Sequence, residues 1–209
     1  MYNRKLHFEI IKDFLLYLNR VSKDYILKGG TSLMMCYGLD RFSEDIDLDG
    51  FNKNFFTIVD NFIKVYVAKY PNISYRKAKD TDTVKRAFVH YNNDKPLKIE
   101  VSYRRKDIRT CLCDFVNGIL VYDIKEIMAM KINAFTNRDK IRDLYDVVFI
   151  YTRYKNALSS DIIMSLRNIV AYKGIEQFDY LMKDQKDDLI NNNKLAENFL
   201  NMYYDLGLV

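Results

Sequence analysis

Two short motifs between residues 27 and 49 combine groups that could hold phosphates and a metal ion. The stretch reads LKGGTSLMMCYGLDRFSEDIDLD, and its pattern predicts a strand, a glycine turn, a short helix, a loop and a second strand. Gly29 and Gly30 allow a tight turn and a close approach of the backbone to a ligand. Thr31 and Ser32 would open the helix, whose first N–H groups attract a phosphate. This half of the pattern predicts a phosphate site.

Asp45 and Asp47 form the second half of the pattern, at the start of the second predicted strand. Side chains two residues apart on a strand point to the same side, so both carboxylates can converge on one cation. Mg²⁺ commonly joins carboxylates to phosphates. Each half has a common alternative explanation, namely an ordinary glycine turn and exposed acids on a surface. Their order and spacing, with Arg41 between them, favour a site for a nucleoside triphosphate.

The same stretch resembles the nucleotidyltransferase superfamily, in which Gly-Gly or Gly-Ser at a helix start precedes Asp-x-Asp on the next strand. In the form GGTSL followed by RFSEDIDL, it resembles more closely the AbiEii family of nucleotidyltransferase toxins from type IV toxin–antitoxin systems. A second block, EIMAMKINAFTNRDKIRDLYD at residues 126–146, resembles the helix lysine, basic loop and R-D-x-x-D pattern of the same family. The matching residues are Lys131, Arg138, Arg142, Asp143 and Asp146.

The resemblance implies a Mg²⁺-dependent enzyme that moves a nucleoside monophosphate from an NTP to an acceptor hydroxyl. It also implies tRNA as the acceptor and a cognate antitoxin encoded beside the enzyme. Asp45, Asp47 and Glu100 would hold the metal, and Lys131 and Asp143 would join them in catalysis. The residues expected at the nucleotide are Lys28, Gly29, Gly30, Thr31, Ser32, Arg41, Ser43, Arg142 and Asp146.

Two of the expected site residues have structural alternatives of similar weight. Arg41 could meet a triphosphate, or it could form a salt bridge with Glu44 or Asp45. Glu100 points away from the apolar face of its strand, so it is either a solvated residue or a third carboxylate of the site. Superfamily members carry their third acid on such a strand, and this resemblance favours the functional interpretation.

The second block is also open to two interpretations. A lysine near a triphosphate would neutralise charge, and an acid on the facing helix could orient that lysine or contact the substrate. Spacing alone favours a salt-bridge network that links Lys131 or Arg142 to Asp143. The family resemblance favours a role at the substrate instead.

The hydrophobic pattern, with the resemblance, predicts an α/β (α+β) fold in two parts. Residues 1–120 would form the nucleotidyltransferase core with a small mixed sheet, and residues 121–209 a helical bundle that completes the active site. Asp123 would begin one helix of this region and Asn137 would cap the next. Helices are expected at 4–20, 31–38, 54–70, 123–135 and 138–151 and in three stretches after 160, and strands at 25–27, 84–91 and 97–103, the last two as a hairpin.

Bulk properties limit the partners and the cellular compartment. The 209 residues carry a net charge of +5, which is compatible with a nucleic-acid partner. Cys36, Cys111 and Cys113 form no disulfide framework, which favours a reducing cytoplasm. No apolar run reaches the roughly 18 residues of a membrane span. His7 is expected at the protein surface.

Three other functions are compatible with the sequence. The first is a nucleotidyltransferase that modifies a small molecule or a protein side chain. The second is a non-catalytic nucleotide-binding protein, against which the presence of both Asp45 and Asp47 argues. The third is a helical interaction protein in which the motif is accidental, and binding of Mg²⁺ and a nucleotide would exclude it.

Overall fold

The computed structural model describes residues 3–92, 95–105, 107 and 111–208. The predicted turn residues Asn93 and Asp94 lie outside these ranges. Internal contacts divide the chain into two compact units. The first contains Met1–Gly38 and Ser43–Tyr122, and the second contains Leu39–Phe42 and Asp123–Val209.

The first unit is built on a mixed β-sheet. Its strands are β1 (Tyr25–Lys28), β2 (Ile46–Gly50), β3 (Ser74–Asp80), β4 (Val84–His90), β5 (Leu97–Ser102), β6 (Cys113–Val116) and β7 (Ile119–Tyr122). In the described part of the unit, these seven strands pair in the order β3-β4-β5-β2-β1-β7-β6. β2 runs parallel to β5 and β1 runs parallel to β7, whereas the other neighbours are antiparallel.

In the described residues of the first unit, three helices accompany this sheet: α1 (Arg4–Val21), α2 (Gly29–Cys36) and α3 (Phe55–Tyr66). α1 packs against α3 and β7, and α2 packs against β1, β2 and β7. Phe14 of α1 meets Phe62 of α3 edge to face, with ring centroids 5.1 Å apart, and both rings are fully buried. Burial of these large apolar rings stabilises the packing of the two helices.

The second unit is helical in its described residues. It contains α4 (Ile124–Asn137), α5 (Ile141–Tyr154), α6 (Ser160–Asp184) and α7 (Asn192–Asp205). α4 packs against α5 and α6, and α5 packs against α7. Gly174 interrupts α6 with a φ of 70°, which explains why the sequence there reads as two helices. None of the helices in the described parts of either unit is both long enough and apolar enough to cross a bilayer.

The α/β fold class is confirmed, and so is the predicted hairpin, because β4 and β5 pair antiparallel. The sequence analysis missed β3, since its segment SYRKAKD lies at the sheet edge and lacks apolar alternation. It also missed β6 and β7, although Asn117-Gly118 between them, both with positive φ, is a hairpin signature. Asn137 ends α4 and does not cap α5, whose N-cap is Lys140.

His7 is buried, which corrects the expectation of a surface position. Its Nδ1 hydrogen-bonds the hydroxyl of Tyr91, and its Nε2 donates to the carbonyl oxygen of Glu44 at 2.7 Å. Burial lowers the pKa of His7 below its ordinary value, and the hydrogen bond to Glu44 opposes this only in part. The neutral ring therefore joins α1 to the loop that precedes Asp45.

We expect the free energy of unfolding to fall as the pH drops from about 8 to about 5. The unfolded chain protonates His7 at a higher pH than the folded protein does, so acid favours unfolding by at most about 1.4 kcal/mol per pH unit. Urea denaturation at successive pH values measures this slope. His7→Gln should flatten the slope, and His90→Gln, at the other histidine of the chain, should preserve it. Identical slopes in all three proteins would contradict this assignment.

Candidate active site

The turn between β1 and α2 brings the backbone against Asp47. α2 begins at Gly29, two residues earlier than the sequence pattern predicts. Gly29 has a φ of +78°, and a Cβ at this position would lie 3.1 Å from Asp47 Oδ2. A side chain here would therefore meet both backbone strain and the Asp47 carboxylate. Lys28 occupies the N-cap position without a side-chain hydrogen bond to the first turn of the helix.

Three buried hydroxyl groups hold this turn and the loop before β2 in place. Thr31 Oγ1 donates to the carbonyl oxygen of Asp45 and shares a hydrogen bond of 2.9 Å with Ser43 Oγ. Ser32 Oγ donates to the carbonyl oxygen of Gly29 at 2.7 Å. These side chains fix the path of the backbone from the glycine turn to the first carboxylate.

A row of paired residues crosses the sheet at Asp47. Lys28 of β1 and Glu100 of β5 flank Asp47 of β2 in register. Directly paired residues on neighbouring strands have adjacent side chains, so the Asp47 and Glu100 carboxylates lie on one face of the sheet. Asp45 lies two residues before Asp47, just ahead of the start of β2. The three carboxylates expected to hold a metal thus occupy neighbouring positions in the first unit.

Two cations pair with the outer members of this carboxylate group. Lys98 Nζ donates to Asp45 Oδ2 at 2.7 Å, and Arg86 Nε donates to Glu100 Oε2 at 2.6 Å. Both ion pairs are partly exposed to solvent. Lys98 was not predicted as a site residue, although the alternation in LKIEVS places it on the same side of β5 as Glu100.

Negative charge is crowded at the centre of the carboxylate group. Burial raises the pKa of Asp47, and the charges of Asp45 and Glu100 raise it further against the opposing charges of Lys98 and Lys28. Partial burial would lower the pKa of Lys98, but the Asp45 hydrogen bond and the nearby carboxylates raise it above its ordinary value. A further cation beside Asp47 would relieve this repulsion.

The donor set fits a hard divalent cation, because carboxylate oxygens are the protein ligands that Mg²⁺ prefers. As the side chains stand, no three His, Cys, Asp or Glu residues in the described ranges form a metal-binding cluster. Lys98 and Arg86 hold Asp45 and Glu100 instead. Each pair engages one oxygen, Asp45 Oδ2 or Glu100 Oε2, so the second oxygen of each carboxylate is left as a candidate metal ligand.

Asp49, the third acid of the DIDLD run, has a structural role that the sequence analysis missed. It is buried, and its carboxylate accepts hydrogen bonds from Lys28 Nζ at 2.5 Å and from the Tyr122 hydroxyl at 2.9 Å. Lys28, which is expected at the nucleotide, is thus engaged with Asp49 in this structure. The pairing connects β2 to β1 and β7.

The second motif block forms a buried ion network inside the second unit. Asp146 of α5 accepts hydrogen bonds from Arg41 Nε at 2.8 Å and Arg41 Nη2 at 2.7 Å, and Lys131 Nζ lies 2.6 Å from Asp146 Oδ2. Lys131 Nζ also lies 3.8 Å from Asp143 Oδ1. Arg138 makes two hydrogen bonds to Asp143, of 2.6 and 3.0 Å. The buried members are thus two cations, Arg41 and Lys131, and two carboxylates, and the exposed Arg138 contacts Asp143 from outside.

The structural alternative for Arg41 is a salt bridge with Glu44 or Asp45. In the structure, Arg41 pairs with Asp146 instead. The reason is that Leu39–Phe42 belongs to the second unit, although it is close in sequence to the carboxylates of the first. Burial alone would raise the pKa of Asp146, which is 0% exposed, but the adjacent cations lower it below its ordinary value. Asp146 thus remains an anion away from water.

Arg142 pairs with Asp187 and not with Asp143. Consecutive residues on a helix do not face each other, so the two side chains of the R-D pair point in different directions. Arg142, Arg138 and Lys140 border a cavity of about 300 Å³ in the second unit. Its other lining residues are Ile141, Asp143, Gln185 and Asp187. The cavity is thus lined by three basic and two acidic side chains.

Comparison with known families places both motif blocks in one family. The sequence profile described as nucleotidyl transferase AbiEii toxin, type IV toxin–antitoxin system, matches residues 14–206. The chain belongs to the AbiEii family. The AbiEii-family protein is therefore a nucleotidyltransferase toxin, which takes an NTP as substrate and has an antitoxin as partner, and the resemblance seen in GGTSL and RFSEDIDL is confirmed.

Solved structures are similar to this AbiEii-family protein over most of their length. JHP933 from Helicobacter pylori is 27% identical, with 97% of this chain and 91% of that chain covered and a TM-score of 0.79. MenT4, the nucleotidyltransferase toxin Rv2826c from Mycobacterium tuberculosis H37Rv, is 16% identical, with coverage of 91% and 76% and a TM-score of 0.52. At that identity, the likeness to MenT4 concerns the fold alone. A search of curated protein sequences found no match.

Removal of the Asp146 carboxylate should strongly destabilise this AbiEii-family protein. Asp146→Asn leaves Arg41 and Lys131 buried without their shared anion, and breaking a buried ion pair in this way costs about 3–5 kcal/mol. Chemical denaturation followed by circular dichroism gives the free energy of unfolding. Asp188→Asn, at an exposed acid of the same unit, should change it by less than about 0.5 kcal/mol. Similar small effects of both substitutions would show that the network contributes little to stability.

Proposed function

We propose that this protein uses Mg²⁺ to transfer a nucleoside monophosphate from an NTP to a hydroxyl group of tRNA, in the cytoplasm, as the toxin of its toxin–antitoxin pair. The observation that carries the proposal is the pairing of Asp47 with Glu100 on one sheet face, with Asp45 two residues earlier in the chain. Family membership supports the reaction class, and the metal and the acceptor are our additions to it.

Asp45, Asp47 and Glu100 would hold the metal, and Lys98 and Arg86 would compete with it for the outer two carboxylates. When bound, the metal would supply neutralisation of the triphosphate charge and activation of the acceptor hydroxyl. The acceptor oxygen would then attack the α-phosphorus in line as pyrophosphate leaves. Positioning of the two substrates and stabilisation of charge would provide most of the rate enhancement.

The other expected site residues would position the triphosphate. The first N–H groups of α2, which begins at Gly29 and Gly30, suit an anion, and Gly29 brings this turn against the Asp47 carboxylate. Thr31, Ser32 and Ser43 would act indirectly, because their buried hydroxyl groups hold the turn in shape.

In the second unit, we assign Lys131 the task of offsetting negative charge on the triphosphate. Asp146 and Asp143 would orient its ammonium group, from which their oxygens lie 2.6 and 3.8 Å away. Arg142 borders the cavity of about 300 Å³ and would contact the nucleotide there. Arg41 would keep Asp146 in place through its two hydrogen bonds.

Transfer to RNA gives the first test of this proposal. Wild-type protein is incubated with Mg²⁺, total tRNA and each of the four α-labelled NTPs in separate reactions. At least one of the four NTPs should label the tRNA. Asp47→Ala should lower the labelling rate by at least about a hundredfold, because metal ligation supplies several kcal/mol of charge stabilisation. Asp82→Ala, at an exposed acid that pairs with the exposed Lys53, should retain full labelling.

Two outcomes would count against the proposal in different ways. Full labelling by the folded Asp45→Ala, Asp47→Ala double variant would refute the role of these carboxylates as metal ligands. Mg²⁺-dependent NTP binding without labelled RNA would point to a small molecule or a protein side chain as the acceptor.

Lys98 should compete with the metal for Asp45. Lys98→Met removes a positive charge 2.7 Å from Asp45 Oδ2, so the nucleotide-free protein should bind Mn²⁺, a probe for Mg²⁺, on the order of tenfold more tightly. Calorimetric titration or Mn²⁺ paramagnetic resonance measures this affinity without any turnover. Lys77→Met, an equal charge change on the other side of the sheet, should have a much smaller effect. Weaker Mn²⁺ binding by Lys98→Met would instead make Lys98 a residue that supports the metal site.

A further inference from the structure

The row of paired residues at the carboxylates continues across the sheet into basic side chains. Glu100 of β5 pairs in register with Arg86 of β4, and Arg86 pairs with Lys79 of β3. In the adjacent row, Phe88 of β4 pairs with Arg76 of β3. We name Arg76, Lys79 and Arg86 the basic strip. It begins at the carboxylate group and ends at the outer edge of the sheet, where β3 lies.

Side-chain contacts place Arg86 and Arg76 on the same face as the carboxylates, and Lys79 is assigned to this face by its register opposite Arg86, just after a bulge between Lys77 and Lys79. Arg86 Nε donates to Glu100 Oε2 at 2.6 Å. The guanidinium carbon of Arg76 lies 5.3 Å from the centre of the Phe88 ring, and Phe88 is two residues from Arg86 on the same strand. Residues two apart on a strand share a face.

The opposite face of the same two strands carries a different pair of lysines. Lys77 and Lys85 place their Nζ atoms 4.6 and 5.4 Å from the centre of the Phe56 ring, which belongs to α3. β3 and β4 therefore carry basic residues on both faces, but only those of the basic strip lie on the face of the carboxylates. This difference allows the two faces to be compared within one hairpin, in which Lys85 of the opposite face is half-buried and lies 3.9 Å from Asp80.

The outer members of the basic strip are available to an anion. Arg76 and Lys79 are exposed, and neither forms a salt bridge with an acid of the described ranges. Exposed charges on an edge strand also prevent pairing between sheets. Prevention of sheet pairing requires charge at the edge strand but does not depend on which face carries it. A comparison of the two faces therefore separates this role from the binding of an anion.

We infer that the basic strip binds the sugar–phosphate backbone of the acceptor RNA beside the hydroxyl that reacts, an inference that rests on the proposed function. Neighbouring strands are about 4.8 Å apart, so β3, three strands away, lies about 14 Å from β2. Over this distance the basic strip would follow the nucleotides next to the reacting end of the RNA. A polynucleotide matches this order of groups. Its uncharged hydroxyl end meets the carboxylates, and its phosphates continue over the cations.

The test compares two double variants that each remove two positive charges from this hairpin. Arg76→Gln, Lys79→Gln changes the carboxylate face, and Lys77→Gln, Lys85→Gln changes the opposite face. Fluorescence anisotropy of a labelled tRNA acceptor-stem hairpin with a single-stranded 3′ end, with full-length protein and without NTP, gives the Kd at several salt concentrations. Thermal unfolding verifies that both variants are folded.

We expect the first double variant to raise the Kd about tenfold and to reduce the slope of log K against log salt by about 1–2, because two phosphate contacts are lost. The second should change the Kd less than about threefold. In the transfer assay, the first should raise the KM for RNA and leave the KM for NTP unchanged, since its residues contact the acceptor alone.

Equal effects of the two double variants would overturn the inference, because general charge would then explain binding. An unchanged Kd in the first double variant, while the wild-type protein still labels RNA, would refute the basic strip alone and leave the proposed function intact. A wild-type protein that neither binds nor labels RNA would refute both, and would show that the acceptor itself was misidentified.

Discussion

The parallel pairing of β2 with β5 is the constraint on which the carboxylate group depends. It sets Asp47 directly beside Glu100, and a shift of one residue would send one of the two carboxylates to the other face. The same register pairs Leu48 with Val101 on the opposite face, where both side chains are buried. Their burial favours this register. Burial of apolar side chains on one face of the sheet thus keeps Asp47 and Glu100 side by side on the other face, although the two acids repel each other.

The two units treat charge differently. In the first, Asp45, Asp47 and Glu100 outnumber the two cations that pair with them, Lys98 and Arg86. In the second, the buried cations Arg41 and Lys131 are matched by the buried carboxylates Asp143 and Asp146. An excess of negative charge suits a divalent cation, and cationic side chains suit the phosphates of a nucleotide. A nucleotidyltransferase needs both, since it handles a metal and a polyanion together.

Local patterns were sufficient for much of the fold and for the family. The β4–β5 hairpin follows from two alternating runs around a polar turn, and the resemblance in GGTSL and RFSEDIDL is confirmed by the family match. β3 escaped notice because an exposed edge strand has no apolar face to alternate. Lys98 escaped notice as a site residue because nothing in its local sequence shows that Asp45, distant along the chain, lies within 2.7 Å.

The sequence by itself determined the chemistry that is present: a glycine turn, an Asp-x-Asp pair, an alternating strand with Glu100, and a basic helical block. The tertiary structure alone decided how these charges are paired. It assigned Arg41 to Asp146, Lys98 to Asp45 and Lys28 to Asp49. Periodicity depends on neighbours along the chain, whereas an ion pair depends on which distant segment folding brings within a few ångströms. The types of charge could therefore be predicted, but their partners could not.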